Sequence, residues 1–261
     1  MRAHKDFRAP KAYKKYSEIF GKYRLDKLIE FADADIIAFD GKVRISVFER
    51  TPFMIKTAAC QYSRIKDKAS GDYTDTYIDG TGHAYVILSD GMGSGARARI
   101  DSAFACSMLI KLLESGVGIE SAIEMLNTSL LVKSSDESFA TLDICEIDLY
   151  TGKVTVYKAG GADSFVKAGK NIVKLESSGL PVGISFRVSF ENKSFTIAEN
   201  DIVILTSDGV ELPRNWLEQL FRKESSNDLD ELVRQIGDNA RFRSEKGRED
   251  DISVVAVQLC K

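Results

Sequence analysis

Strand-forming runs joined by tight turns are interrupted twice by a pair of helical segments in this 261-residue chain, and that order leaves few folds open. Strands are expected over 35–39, 43–50 and 53–60. Two more follow over 72–78 and 83–89, joined by Asp79-Gly80, a hairpin signal. Apolar residues then recur at helical spacing over 96–114 and 119–132, with Gly116 and Gly118 between the two segments. A second β-rich stretch covers 139–150, 153–158, 164–168, 188–197 and 201–207, with turns at Thr151-Gly152, Gly160-Gly161 and Lys170-Asn171. Helices around 214–223 and 227–242 precede a last strand over 252–259. Neighbouring strands with short connections pair antiparallel, so the pattern predicts sheets packed face to face with helices outside, not the strand–helix alternation of a parallel sheet. A further helix is expected over 10–33, where Tyr13, Tyr16, Phe20, Tyr23, Lys27 and Leu28 share one face.

Composition narrows the function classes. A hydrophobic content of 44% supports a sizeable core, and a net charge of −3 without basic blocks gives no footing for nucleic acid. No apolar stretch approaches the ~20 residues that span a bilayer, and the first residues lack the apolar core of a signal peptide. Cys60, Cys106, Cys145 and Cys260 all lie in apolar strand-like or helix-like segments, the pattern of reduced structural thiols in a cytoplasm. With only His4 and His83 in the chain, a Ser–His or Cys–His nucleophile is not expected.

Four acids stand apart: Asp72 in SGD, Asp90 in LSDGMGSG, Asp208 in TSDG and Asp250 in REDDIS. Asp90 and Asp208 each end an apolar run and precede a glycine. A strand that carries an acid at its tip, followed by glycine, places a carboxylate and a backbone carbonyl within reach of one ion. Any one Asp-Gly alone reads as a turn. Four such acids at one place would repel one another strongly unless cations neutralised them, so the set reads as an all-oxygen site for hard divalent metals.

Two other chemistries fit the Asp90 segment less well. Gly91-Met92-Gly93-Ser94-Gly95-Ala96 matches the dinucleotide fingerprint formally. However, Asp90 would sit beside the pyrophosphate, a second helix follows where a strand is needed, and no later acid is placed for a ribose. Ser94 lacks the register of a nucleophile elbow, and starting a helix with Gly95 is its simpler role.

The ordered series SGDxY, LSDGMGSG, FATLD, SDG and Asp250-Asp251-Ile252-Ser253 resembles the metal-dependent serine/threonine phosphatases of the PPM (type 2C) superfamily. LSDGMGSGARA and FATLDICEIDLYTGKVTVYKAGGADSF are most similar to its SpoIIE-type bacterial branch, and the resemblance runs from about residue 53 to the C-terminus. It implies an α+β fold, a four-layer αββα sandwich of two antiparallel sheets flanked by helices, over 34–261, with 1–33 as a helical appendage or linker. It also implies two Mn²⁺ or Mg²⁺ ions held by catalytic Asp90, Asp72, Asp208 and Asp250. Asp90 would be shared by both ions, with Asp72 and the Gly91 carbonyl on one and Asp208 and Asp250 on the other. Asp251 takes the Asn-like place behind the ligands, where it would orient them. The phosphate-binding arginine that some members carry near the start of the domain has no clear counterpart. Arg64 and Lys66 are the candidate substitutes, and an exposed hairpin charge is the plainer reading of each.

Ions about 3.5–4 Å apart hold a water between them, lower its pKa and aim it at phosphorus, so no protein nucleophile is required. The expected activity is a phosphoserine/phosphothreonine protein phosphatase. By resemblance its substrate is a phosphorylated anti-sigma-factor antagonist of a bacterial partner-switching, sporulation-type pathway. The alternative is a catalytically silent binding module on the same fold. A cytoplasmic location is expected, alone or as the cytoplasmic part of a larger protein, and the 10–33 helix leaves room for a homodimer contact or an upstream regulatory domain.

Overall fold

The computed structural model describes residues 32–39, 42–49, 51–64, 69–93, 95–133, 138–169, 171–177, 179–223, 228–244 and 250–261. The chain divides into two compact units, Met1–Pro52 and Phe53–Lys261. In the first, β1 (Ala32–Phe39) and β2 (Lys42–Glu49) form an antiparallel two-stranded sheet. The helix expected over 10–33 lies outside the described residues as far as 31, and Ala32 and Asp33 open β1.

The second unit contains β3 (Met54–Tyr62), β4 (Asp72–Ile78), β5 (His83–Asp90), α1 (Ala96–Glu114) and α2 (Ile119–Lys133). These are followed by β6 (Leu142–Asp148), β7 (Lys153–Ala159), β8 (Ser164–Ala168), β9 (Asn171–Leu175), β10 (Glu191–Thr196) and β11 (Ile202–Thr206). Helices α3 (Arg214–Lys223) and α4 (Leu229–Arg243) and strand β12 (Ile252–Cys260) complete it. Two five-stranded sheets result, in the orders β10-β7-β6-β5-β4 and β3-β12-β11-β8-β9. Every pairing within them is antiparallel.

Alternation along each strand sorts side chains into three clusters. Val86 and Leu88 face Val203, Leu205, Val255 and Val257 of the opposite sheet. Ile87 and Ile144 face the other way, onto Leu109, Ile123 and Leu126 of α1 and α2. Ile204, Val254 and Ala256 face Leu217, Val233 and Ile236 of α3 and α4. The layers therefore run α-β-β-α. With both faces covered, all of β11 is buried, which is why it reads as an unbroken apolar run rather than an alternating one.

Boundaries follow local chemistry. Helix α4 starts at Leu229, two residues later than the periodicity suggests, because the Asp228 carboxylate accepts from the N–H groups of Asp230 and Glu231 and caps the helix there. Strand β10 is shorter than the expected 188–197, since Val188 and Phe190 pack onto the α1–α2 cluster instead of extending the ladder. Cys60, Cys106 and Cys145 are buried free thiols, and Cys260 is half-buried and free.

One ion pair sits inside. Lys158 Nζ donates to Asp143 Oδ1 at 2.5 Å and to Ser164 Oγ at 2.8 Å, so it joins β6 and β7 of one sheet to β8 of the other. Both charged side chains are almost wholly buried. Burial pushes the Asp143 carboxyl up to about 6, against the pull of Lys158. A Cβ on Gly161 would lie 2.1 Å from Asp143 Oδ2, so any larger residue there would displace the buried carboxylate. Breaking one side of such a pair strands the other charge. Lys158→Met is therefore expected to cost about 3–5 kcal/mol in urea unfolding, and Asp143→Leu/Lys158→Met to recover most of that loss.

Candidate metal centre and adjoining cleft

The β4–β5 hairpin brings two acids together by register. Asp72 opens β4, Asp90 closes β5, and they are direct partners in the ladder, so their side chains share one face of the sheet, with Cβ atoms about 4.5–5.5 Å apart. In the other sheet, β11 and β12 are neighbours. Asp208 follows the end of one and Asp250 precedes the start of the other, so the strand order carries both to the same edge of that sheet. Ser207 fixes this junction. Its N–H donates to the Ser253 carbonyl at 3.0 Å, its hydroxyl accepts from Ser253 N–H at 2.8 Å, and the same hydroxyl donates to the Asp251 carbonyl at 3.2 Å.

Neighbouring residues hold the acids in place. Thr141 Oγ1 accepts from Asp90 N–H at 3.0 Å, and Thr141 N–H donates to the Asp90 carbonyl at 2.8 Å. A Cβ on Gly91 would stand 1.9 Å from the carbonyl oxygen of Ala98, so only glycine lets α1 start this close to the strand. Asp251 is buried, and its carboxylate accepts from Arg64 N–H and from Gly71 N–H, both at 2.6 Å. It thereby holds both ends of the segment that leads into Asp72. The Arg64 side chain is exposed, and residue 64 meets the site through its backbone. Lys66 and Ser94 lie outside the described residues. Gly95 is the N-cap of α1.

Thr141, Gln61 and Arg99 are site residues that sequence reasoning did not single out. Thr141 lies within FATLD, which the motif series contains as a string without a role. Gln61 and Arg99 both donate to the Asp72 carbonyl, and nothing in their local sequence signals it.

Electrostatics tie the four acids together. Burial, then the carboxylates of Asp72, Asp208 and Asp250, push Asp90 up to about 9. Burial, then Asp250, raises Asp208, and burial is the largest cause of the rise at Asp72. Both Asp72 carboxylate oxygens are buried and make no hydrogen bond of ordinary length and angle, although Ser253, Asp90 and Ser207 lie near enough to pull its pKa down against burial. An unpaired carboxylate is costly to bury, and a divalent cation is the partner that an all-oxygen set of this charge suits. The buried Asp72 carboxylate, paired in register with Asp90, suits such an ion. Among the described residues, no three acidic, histidine or cysteine side chains are grouped so as to hold a metal ion. Beside Asp208 and Asp250 opens a cleft of about 980 Å³, walled by Asp163, Glu211, Pro213 and Arg243.

A profile of stage II sporulation protein E (SpoIIE) matches residues 80–259. The chain belongs to the SpoIIE family. It is 31% identical over 215 residues to stage II sporulation protein E of Bacillus subtilis, which covers 79% of this chain and 26% of that protein. It therefore spans about a quarter of that relative's length. Phosphoserine phosphatase RsbU of Bacillus subtilis is 22% identical over 199 residues, 72% of this chain and 59% of that one. The solved PP2C phosphatase domain of Bacillus subtilis SpoIIE, with a fragment of its regulatory domain, superposes with a TM-score of 0.74 at 27% identity. That match covers 88% of this chain and 70% of the other.

The raised acids set the sign of a pH dependence. A folded-state pKa near 9 at Asp90, against about 4 in an unfolded chain, means that folding is favoured at low pH and loses support as pH rises through 9. Metal-free Asp90→Asn is expected to melt above metal-free wild type at pH 8, with the gap closing near pH 5. Each kcal/mol relieved is worth about 2–4 °C at this size. Saturating Mn²⁺ should reverse the order by stabilising wild type alone. Differential scanning fluorimetry with and without chelator checks all three.

Proposed function

We propose that Phe53–Lys261 is a phosphoserine/phosphothreonine protein phosphatase dependent on two Mn²⁺ or Mg²⁺ ions. Its proposed substrate is a phosphorylated anti-sigma-factor antagonist in a bacterial partner-switching pathway of the sporulation type. The observation that carries this reading is the Asp72 carboxylate, buried without a hydrogen bond of ordinary length and angle, in direct register with Asp90 and within the field of the other acids. Family membership and the likeness to phosphoserine phosphatase RsbU support the reaction class.

The proposed roles divide by strand. Asp90 would be shared by both ions, Asp72 and the Gly91 carbonyl would hold one, and Asp208 and Asp250 would hold the other. Bound divalent cations supply Lewis acidity, lowering the pKa of water and neutralising phosphate charge during in-line displacement. The chain's own contribution is placement. Thr141 fixes the Asp90 main chain, Asp251 holds the segment entering Asp72, and the packed strands around Asp72 keep its carboxylate dry. His83, the single described histidine, lies at the opposite end of β5 from Asp90 and beside Asp79, so no imidazole from it reaches the acids. The cleft beside Asp208 and Asp250 is larger than a phosphate needs and is where we place the protein segment carrying the phosphoserine.

No helix among the described residues is long and apolar enough to cross a membrane, and a cytoplasmic placement suits free thiols and a phosphoprotein partner. Residues before Phe53 are proposed as the connection to an upstream regulatory domain or to a second copy.

Phosphate release from a phosphoserine protein is expected to rise with added Mn²⁺ in wild type and to be abolished in Asp90→Asn. Release from that protein but not from a free phosphosugar would favour the protein-phosphatase reading over a small-molecule hydrolase. Absence of both release and Mn²⁺ binding in wild type would favour the silent binding module.

A further inference from the structure

Asp72 presents two different surroundings. Its carboxylate makes no hydrogen bond of ordinary length and angle, whereas its backbone carbonyl receives two side-chain donors, Gln61 Nε2 at 2.9 Å and Arg99 Nη1. The reason is topological. β4 is an edge strand of its sheet, so the groups on its free side have no ladder partner and must be satisfied by side chains.

Those side chains come from opposite sides of the molecule. Gln61 lies on β3 of the other sheet, and its Nε2 also donates to Ser253 Oγ of β12 at 2.9 Å. Its Oε1 accepts from Arg99 Nη1 at 3.4 Å. Arg99 lies in the first turn of α1, with its guanidinium carbon 4.7 Å from the centre of the Tyr73 ring. One turn on, at the i+3 position on the same helix face, Ser102 Oγ donates to the Gly71 carbonyl at 2.5 Å. The main chain of Gly71-Asp72-Tyr73 is thus gripped by α1 from one side and by the second sheet from the other. With the backbone fixed, the direction in which Asp72 presents its carboxylate is fixed too.

We propose that Arg99 and Gln61 are positioning residues that set the divalent-cation affinity of the site by holding the Asp72 main chain. This rests on the metal reading given above. Both side chains act through the Asp72 carbonyl, and neither supplies a carboxylate to the site. Arg99 Nη1 donates to both the carbonyl and the Gln61 amide oxygen while the planar guanidinium lies over the Tyr73 ring, a combination that an ammonium on a flexible stem does not reproduce. Partners behind metal ligands generally govern affinity by about 10–100-fold, so an effect of that order is expected without loss of the fold.

The test is Mn²⁺ binding by isothermal titration calorimetry, run beside thermal unfolding of the metal-free proteins. Arg99→Met keeps an unbranched apolar stem and removes the donors together with the charge over Tyr73; Gln61→Met removes the amide in the same way. Each is expected to weaken Mn²⁺ binding about 10-fold while leaving metal-free melting near that of wild type. Arg99→Lys should restore only part of the loss. The double variant should lose less than the product of the two single losses, because both act on one carbonyl. Leu109→Ala, which loosens α1 packing away from Asp72, should lower melting and leave Mn²⁺ affinity unchanged. Unaltered Mn²⁺ binding in both Met variants overturns the proposal, as does an equal loss of affinity in Leu109→Ala. Wild type that fails to bind Mn²⁺ removes the metal reading along with it, whereas a wild type that binds beside unaffected variants removes this inference alone.

Discussion

A carboxylate directly opposite a carboxylate on neighbouring strands is an arrangement that an antiparallel sheet ordinarily avoids, because the like charges repel at short range. Asp72 and Asp90 form such a pair, and burial makes it worse by removing the water that would screen them. Much of the surrounding architecture keeps the pair in place. Thr141 ties down the Asp90 main chain, Asp251 grips the segment before Asp72, and the approach of Ala98 to Gly91 fixes where α1 begins. The second sheet adds Asp208 and Asp250 and so increases the repulsion. A site built against its own electrostatics in this way suits positive charge, as the proposed function requires.

The layers explain how so short a chain sustains that arrangement. Each sheet is covered by helices on one face and by the other sheet on the opposite face, so apolar burial is spread over three clusters. Hydrophobic burial is the dominant favourable term in folding, and it carries the strain concentrated at one end. The interior still accepts a charge at Asp143, on condition that Lys158 and Ser164 meet it. That condition separates it from Asp72, whose oxygens make no hydrogen bond of ordinary length and angle.

Much of the fold was legible in the sequence because its signals are local. The 96–114 helix has the predicted bounds, since its apolar period runs between a glycine-rich start and Gly116. Asp90 and Asp208 stood out because each ends an apolar run before a glycine. The Asp72–Asp90 pairing was accessible in principle, because a tight turn at Asp79-Gly80 fixes hairpin register. Contacts that close at long range were not legible. Gln61 meets Ser253 across 192 positions of chain, and no pattern of period two or 3.6 marks a polar residue at a strand end. The cleft is likewise assembled from stretches near 161–163, 208–213, 240–244 and 250, of which only the acids Asp208 and Asp250 stood out in the sequence. Helix α4 began late because a cap overrode periodicity.

The placement of Asp72 on a sheet edge has a further consequence. An uncovered edge strand invites strand addition by a second molecule, the first step of many self-associations. Here the start of β4 is met by side chains: Ser102 takes the Gly71 carbonyl, and Arg99 and Gln61 take that of Asp72. The residues proposed to steady the Asp72 carboxylate thus also occupy the end of that edge beside the acids, where a foreign strand would otherwise find a free carbonyl.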